Sequence, residues 1–139
     1  MRSLLILFFL LISVFSFGQY PTFVAKYTTV KFPKTKEGAR LNYVYHVSND
    51  GKSTLEIYDF EVECSCTEVN IPKRKLEPGE KMDILVTFDT NGKYFYQDRE
   101  IIFHTNTRKG IDKLRFKVFV EPKPLTEEEF NASKASSNN

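Results

Sequence analysis

The sequence predicts an all-β protein: a single immunoglobulin-like antiparallel β-sandwich of about seven strands, behind an N-terminal signal peptide and ahead of a disordered C-terminal tail. Three observations predict it. From Phe23 onward apolar residues recur with period two, in runs rich in Val, Ile, Phe, Tyr and Thr. Turn residues separate these runs at spacings near 8–15 residues. No run shows a long helical period, and such spacing is that of a sandwich.

Taken in order, FVAKYTTVKF (23–32) is the first expected strand and LNYVYHV (41–47) the second, ending in the turn Ser48-Asn49-Asp50-Gly51. TLEIYDFEV (54–62) follows and runs into Cys64 and Cys66. Glu68 to Ile71 reads as a short strand, Pro72-Lys73-Arg74-Lys75 as a basic loop and Pro78-Gly79-Glu80 as a turn. MDILVTF (82–88) is a strand, and Asn91-Gly92 is the dipeptide preferred in tight hairpins. Glu100 to Thr105 and Ile111 to Val120 complete the set, joined by Asn106 to Gly110.

Alternate side chains of a strand point to opposite faces, so parity assigns the core. It places Tyr43, Tyr45, Val47, Leu55, Ile57 and Phe60 inside, with a bulge between the last two. Ile84, Val86, Phe88, Ile101, Phe103, Leu114, Phe116 and Val118 join them. Such side chains contribute roughly 1.5–3 kcal/mol each when fully buried, enough in sum to fold a domain without its cysteines.

The ends read differently. Met1 and Arg2 precede an uncharged, mostly apolar run to Phe17, and Ser16 and Gly18 are the small residues of a cut before Gln19. The run is shorter than the roughly 18 residues of a membrane span. Residues 1–18 are therefore expected to be a signal peptide, 19–121 the domain and 122–139 a polar, disordered tail with one helical turn capped by Thr126 and Glu129. The expected location is the periplasm or the outside. No membrane span after cleavage is expected, and no lipoprotein anchor, since no cysteine lies near the expected cut.

Without Arg2 the chain carries 19 basic and 18 acidic residues, a net charge of +1 that demands no nucleic acid and no anionic surface. There are two cysteines, in ECSCTEVNIP (63–72). Four readings of Cys64 and Cys66 stay open: a disulfide, favoured by an oxidising compartment; a metal clip; a redox pair; or two small packed residues. Zinc wants four ligands, and the remaining nitrogen candidates, His46 and His104, point outward from strands in different sheets. Copper(I) accepts two soft thiolates at low coordination, so any metal falls to Cys64 and Cys66; no other cofactor is expected. No nucleophile, metalloprotease or nucleotide motif occurs, and no catalytic residues are assigned.

Lys113, Arg115 and Lys117 share one strand face, and Lys73, Arg74 and Lys75 cluster in a loop. Together they could form a basic binding patch, against which stands ordinary edge and solubility charge. Tyr94-Phe95-Tyr96 is read as partly buried under the Asn91-Gly92 hairpin.

The order FPKTKEG, VSNDGKSTLEI, ECSCT, LEPGEKMDILVTFDT and REIIFHTNT resembles the bacterial extracytoplasmic family named domain of unknown function 1573 over about residues 28–120. Cys64, Cys66, Thr67, Pro78, Gly79, Glu80, Phe88, Asp89 and Asn106 fall on its pattern. The resemblance implies an immunoglobulin-like fold, related in architecture to major sperm protein and pilus chaperones, and an extracytoplasmic, often Bacteroidetes, origin; it supplies no activity. Ser65 stands where the family has Gly, and the usual Gly after the Phe-Asp strand is replaced within Tyr94-Phe95-Tyr96. The function expected is a non-catalytic binding, scaffolding or structural module, docking a protein partner by strand addition at a sheet edge. The alternative is a thiol redox or copper(I) protein centred on Cys64 and Cys66.

Overall fold

The computed structural model describes residues 18–128 and 131. Residues 1–17 of the expected signal peptide (1–18), and most of the expected tail, with Glu129 of its capped turn, lie outside the described residues. Ten strands form: β1 (Phe23–Ala25), β2 (Thr29–Lys31), β3 (Thr35–Lys36), β4 (Arg40–Asn49), β5 (Leu55–Val62), β6 (Thr67–Asn70), β7 (Lys75–Leu76), β8 (Lys81–Asp89), β9 (Phe95–Thr105) and β10 (Ile111–Glu121). One sheet has the order β1-β4-β8-β6 and the other β2-β10-β9-β5-β7, with β3 also on β10. All pairings are antiparallel except β2 and β3 on β10, which run parallel.

The core follows the parity rule. Tyr45, Val47, Leu55, Ile57, Ile84, Val86, Phe88, Ile101, Phe103, Leu114, Phe116 and Val118 are buried, with Tyr43 and Phe60 packed half-buried against them. The bulge in β5 lies between Ile57 and Asp59. Leu76, Met82 and Val120 extend the same core. Phe88 and Phe116 meet across the two sheets with ring centroids 5.0 Å apart, which is the interdigitation that holds sandwich layers together.

Five features differ from the sequence reading. The run 23–32 is two strands, because the chain leaves the first sheet after Ala25 and joins the second beside Arg115–Lys117. Asn91-Gly92 does not close a hairpin: β8 and β9 belong to different sheets. Buried Thr90 explains the crossing, since its hydroxyl donates to Ala39 O at 2.7 Å while Gly92 N donates to Glu37 Oε1 at 3.1 Å. These bonds pull the turn toward the 36–39 loop rather than back along β8. The last strand pair also starts earlier than expected, at Phe95, and Lys75 leaves the basic loop to enter β7.

A further difference is Asn49, which was read as part of the turn but ends β4 and is fully buried. Its Oδ1 accepts from Thr22 N (3.1 Å) and Gly51 N (3.0 Å), and its Nδ2 donates to Ser53 O (2.8 Å) and Leu76 O (2.9 Å). One amide thus ties together the β4–β5 crossing, the segment before β1 and β7. The neighbouring Asp50 N and Lys52 N donate to Thr22 O and Tyr20 O. Gly51 is needed there for space: a Cβ would meet Thr22 N and Tyr20 O at 2.5 Å.

Candidate functional site

Cys64 and Cys66 are joined in a disulfide with Cα atoms 5.2 Å apart. They sit at the crossing from β5 in one sheet to β6 in the other, where Thr67 N donates to Cys64 O at 3.1 Å and closes a turn. Cys66 packs half-buried on the core and its carbonyl accepts from Asp89 N at 2.9 Å, which locks the start of β6 to the end of β8. Ser65 does not take the left-handed backbone, so the turn does not need the family's glycine. Phe95, in the region where the other glycine is replaced, does take it, at φ 62°. That conformation is unfavourable for a bulky L-residue by roughly 1–2 kcal/mol.

The β5–β9 register ends at Val62↔Ile101, and past it Arg99 reaches Glu63, the residue before Cys64. Arg99 donates to Glu63 at 2.9 Å and to Gln97 at 2.7 Å, and its Nε is buried without a partner. Among the described residues no group of three or more His, Cys, Asp or Glu side chains is placed to hold a metal. The bridged sulfurs therefore offer no thiolate and no third ligand, a poor fit to copper. His46 and His104 lie in different sheets, as expected, but each has a cross-strand partner that sequence separation concealed: Asp83 at 2.7 Å and Glu61 at 2.6 Å.

The two basic clusters do not meet. Lys73 and Lys75 lie at one end of the second sheet, and β10 with Lys113, Arg115 and Lys117 is separated from β7 by β9 and β5. Most of this charge is neutralised locally. Lys113 pairs with Glu100, Arg115 and Lys117 with Asp98, Lys75 with Glu56 and Lys73 with Glu80. The Arg115 hydrogen bond holds the Asp98 carboxyl below its usual range, and the Lys73 hydrogen bond does the same for Glu80. Arg74 is the exception: it makes no ion pair among the described residues, and its Nη1 donates to Tyr58 O at 2.9 Å. Tyr94, Phe95 and Tyr96 are exposed rather than tucked under a hairpin, because the hairpin does not exist.

What the sequence did not reveal is a groove of about 430 Å³ wrapped around the edge strand β6. Phe60, Val69, Ile71 and Arg74 line its inner side, and Glu68, Asn70, Leu85 and Thr87 its outer side. The phase of the ladder decides what the edge offers. Asp89 N bonding Cys66 O makes that pair a hydrogen-bonded one, so Glu68 and Asn70 also bond β8. Val69 then turns both its N–H and its C=O to the free edge. No residue-type signal could have marked this, since it depends on which strands end up at the sheet's margin.

The fold has counterparts among solved structures. A Porphyromonas gingivalis W83 protein of unknown function is similar at a TM-score of 0.65 and 11% identity, over 77% of this chain and 50% of that one. The Vibrio cholerae VesB protease is similar at 0.56 and 11%, over 73% of this chain and 32% of that one. A PapD-like domain of human CEP192 is similar at 0.52 and 12%, over 77% and 89%. This chain thus spans half the length of the first and about a third of the second. At such identities the likeness is one of fold, and it is immunoglobulin-like. No curated protein matches the chain. Residues 23–120 match the family described as "Protein of unknown function (DUF1573)", and the chain belongs to that family.

Proposed function

We propose that this protein is an exported, non-catalytic immunoglobulin-like module that binds a protein partner in the periplasm or at the cell surface, through a sheet edge. The observation that carries this reading is the open edge of β6, flanked on both sides by a lined groove and presenting an unused backbone donor and acceptor. In this reading the Cys64–Cys66 bridge is structural: it fixes the turn from which β6 starts. The test is site-specific photo-cross-linking in intact cells, from Asn70 on β6 and from Lys113 on the outer face of β10. A discrete protein adduct from Asn70, retained when both cysteines are serine and the fold survives, is expected. Loss of the adduct in that folded variant, or no adduct from either position, rejects the reading.

A second reading, thiol exchange or copper(I) binding by the reduced pair, is favoured by one observation: the Arg99 guanidinium, held on Glu63 beside the cysteine turn with its Nε unpartnered, is a cation at the mouth of that turn. It requires the reduced, folded protein to be alkylated rapidly at Cys64. Resistance to alkylation removes it.

A further inference from the structure

We propose that the β6 edge takes as its partner an extended peptide segment with apolar side chains in alternate positions and an acidic side chain in the same row, paired with Arg74. This rests on the binding reading above and names its ligand class. A strand added beside Val69 receives its N–H and donates to its C=O, and its alternate side chains fall on the two lined sides of the groove. The inner row meets Phe60, Val69 and Ile71, which are apolar and only partly covered. Strand polarity on the page places charge at one end. β6 runs from the cysteine turn toward Ile71, and Arg74 lies beyond that end with its guanidinium on Tyr58 O.

Charge complementarity selects the occupant. Glu68, the one acid lining the groove, is engaged by Arg40 at 2.9 Å. Lys73 and Lys75, on either side of Arg74 in sequence, are engaged by Glu80 and Glu56. Arg74 is thus the uncompensated charge of the groove, and a guanidinium with free donors selects a carboxylate. Tyr58 O uses only Nη1, so Nη2 and Nε are open to a bidentate contact.

The probe is the fluorescein-labelled peptide Thr-Val-Thr-Val-Thr-Glu-Thr, blocked at its C-terminus, titrated against the folded domain by anisotropy. With Glu at the Arg74 end the peptide runs parallel to β6, so the amides that face the edge are those of the threonines after each valine. Saturable binding is expected, and methylation of those two threonine amides should abolish it without altering a side chain. Replacing the peptide Glu by Gln, or Arg74→Gln in the protein, should each weaken binding about tenfold, the scale of one charge-assisted contact. The two changes together should cost no more than either alone. Absence of saturable binding, binding indifferent to N-methylation, or binding unchanged by Arg74→Gln overturns the proposal. A cross-linked partner from Asn70 alongside a failed peptide titration would reject this ligand class while leaving the binding module in place.

Discussion

Asn49→Ala tests how much one buried amide contributes to closing the sandwich. The side chain is fully buried and makes four hydrogen bonds, all to backbone groups. Leu76 O sits in the buried part of this cluster, and an unpaired buried acceptor costs about 1–3 kcal/mol. Thr22 N, Gly51 N and Ser53 O are partly reachable by water, so their losses are smaller, about 0.5–1 kcal/mol each. The expected destabilisation is about 2.5–6 kcal/mol, a large share of the roughly 5–15 kcal/mol typical of a domain. Urea unfolding of the mature domain at neutral pH reads it as a lower midpoint with an unchanged slope. Asn49→Asp keeps the shape but turns an oxygen toward Ser53 O and Leu76 O. It should lose at least as much at neutral pH and recover part of it in acid, where the carboxyl carries a proton to donate. An Asn49→Ala domain within about 1 kcal/mol of the parent would refute the reasoning, because four backbone groups would then be finding equal partners elsewhere.

Gly51→Ala forces a Cβ into the backbone of residues 20–22, so we expect a loss of about 1–3 kcal/mol and new protease cleavage in that segment; an unchanged digestion pattern would contradict the packing. The Cys64–Cys66 bridge spans a sequence separation of two, and the chain-entropy relation gives about 1.5 kcal/mol for so short a loop. The double serine variant should therefore fold and melt modestly lower, whereas failure to fold would show that the bridge holds far more than the start of β6. Tyr45 donates to Arg115 O at 2.8 Å, and its burial pushes its pKa well above the usual tyrosine value. A raised native pKa means that its stabilisation is complete below about pH 10 and is lost as pH rises further, because the unfolded chain ionises first. Tyr45→Phe should accordingly be less stable at pH 8 but lose less than the parent between pH 8 and pH 11, which paired urea titrations would resolve.

Local pattern carried the strands well and their connections poorly. Parity along 41–47, 82–88 and 111–120 identifies buried residues because one face of each strand meets the core and the other does not. The turns failed for a different reason. Ser48-Asn49-Asp50-Gly51 and Asn91-Gly92 have hairpin chemistry, yet Asn49 and Thr90 bond to residues distant in sequence and carry the chain to the opposite sheet. The site divides the same way. The cysteine pair stands out by composition. The β6 groove, by contrast, exists only once Phe60, Val69, Leu85 and Arg74 are assembled from three strands and a loop. The basic residues illustrate the converse: Lys113, Arg115 and Lys117 share a face as read, and acids opposite them on β9, which the sequence order did not reveal, pair with that charge.

The most direct test of the central claim is amide hydrogen exchange at Val69, read residue by residue with and without the Thr-Val-Thr-Val-Thr-Glu-Thr peptide. The account predicts fast exchange in the free domain, since this N–H faces the open edge, while the neighbouring Glu68 and Asn70 amides on β8 are protected. It predicts slowed exchange at Val69 when the peptide is bound. A Val69 amide already protected in the free domain, or one that exchanges equally fast with the peptide present, would contradict it.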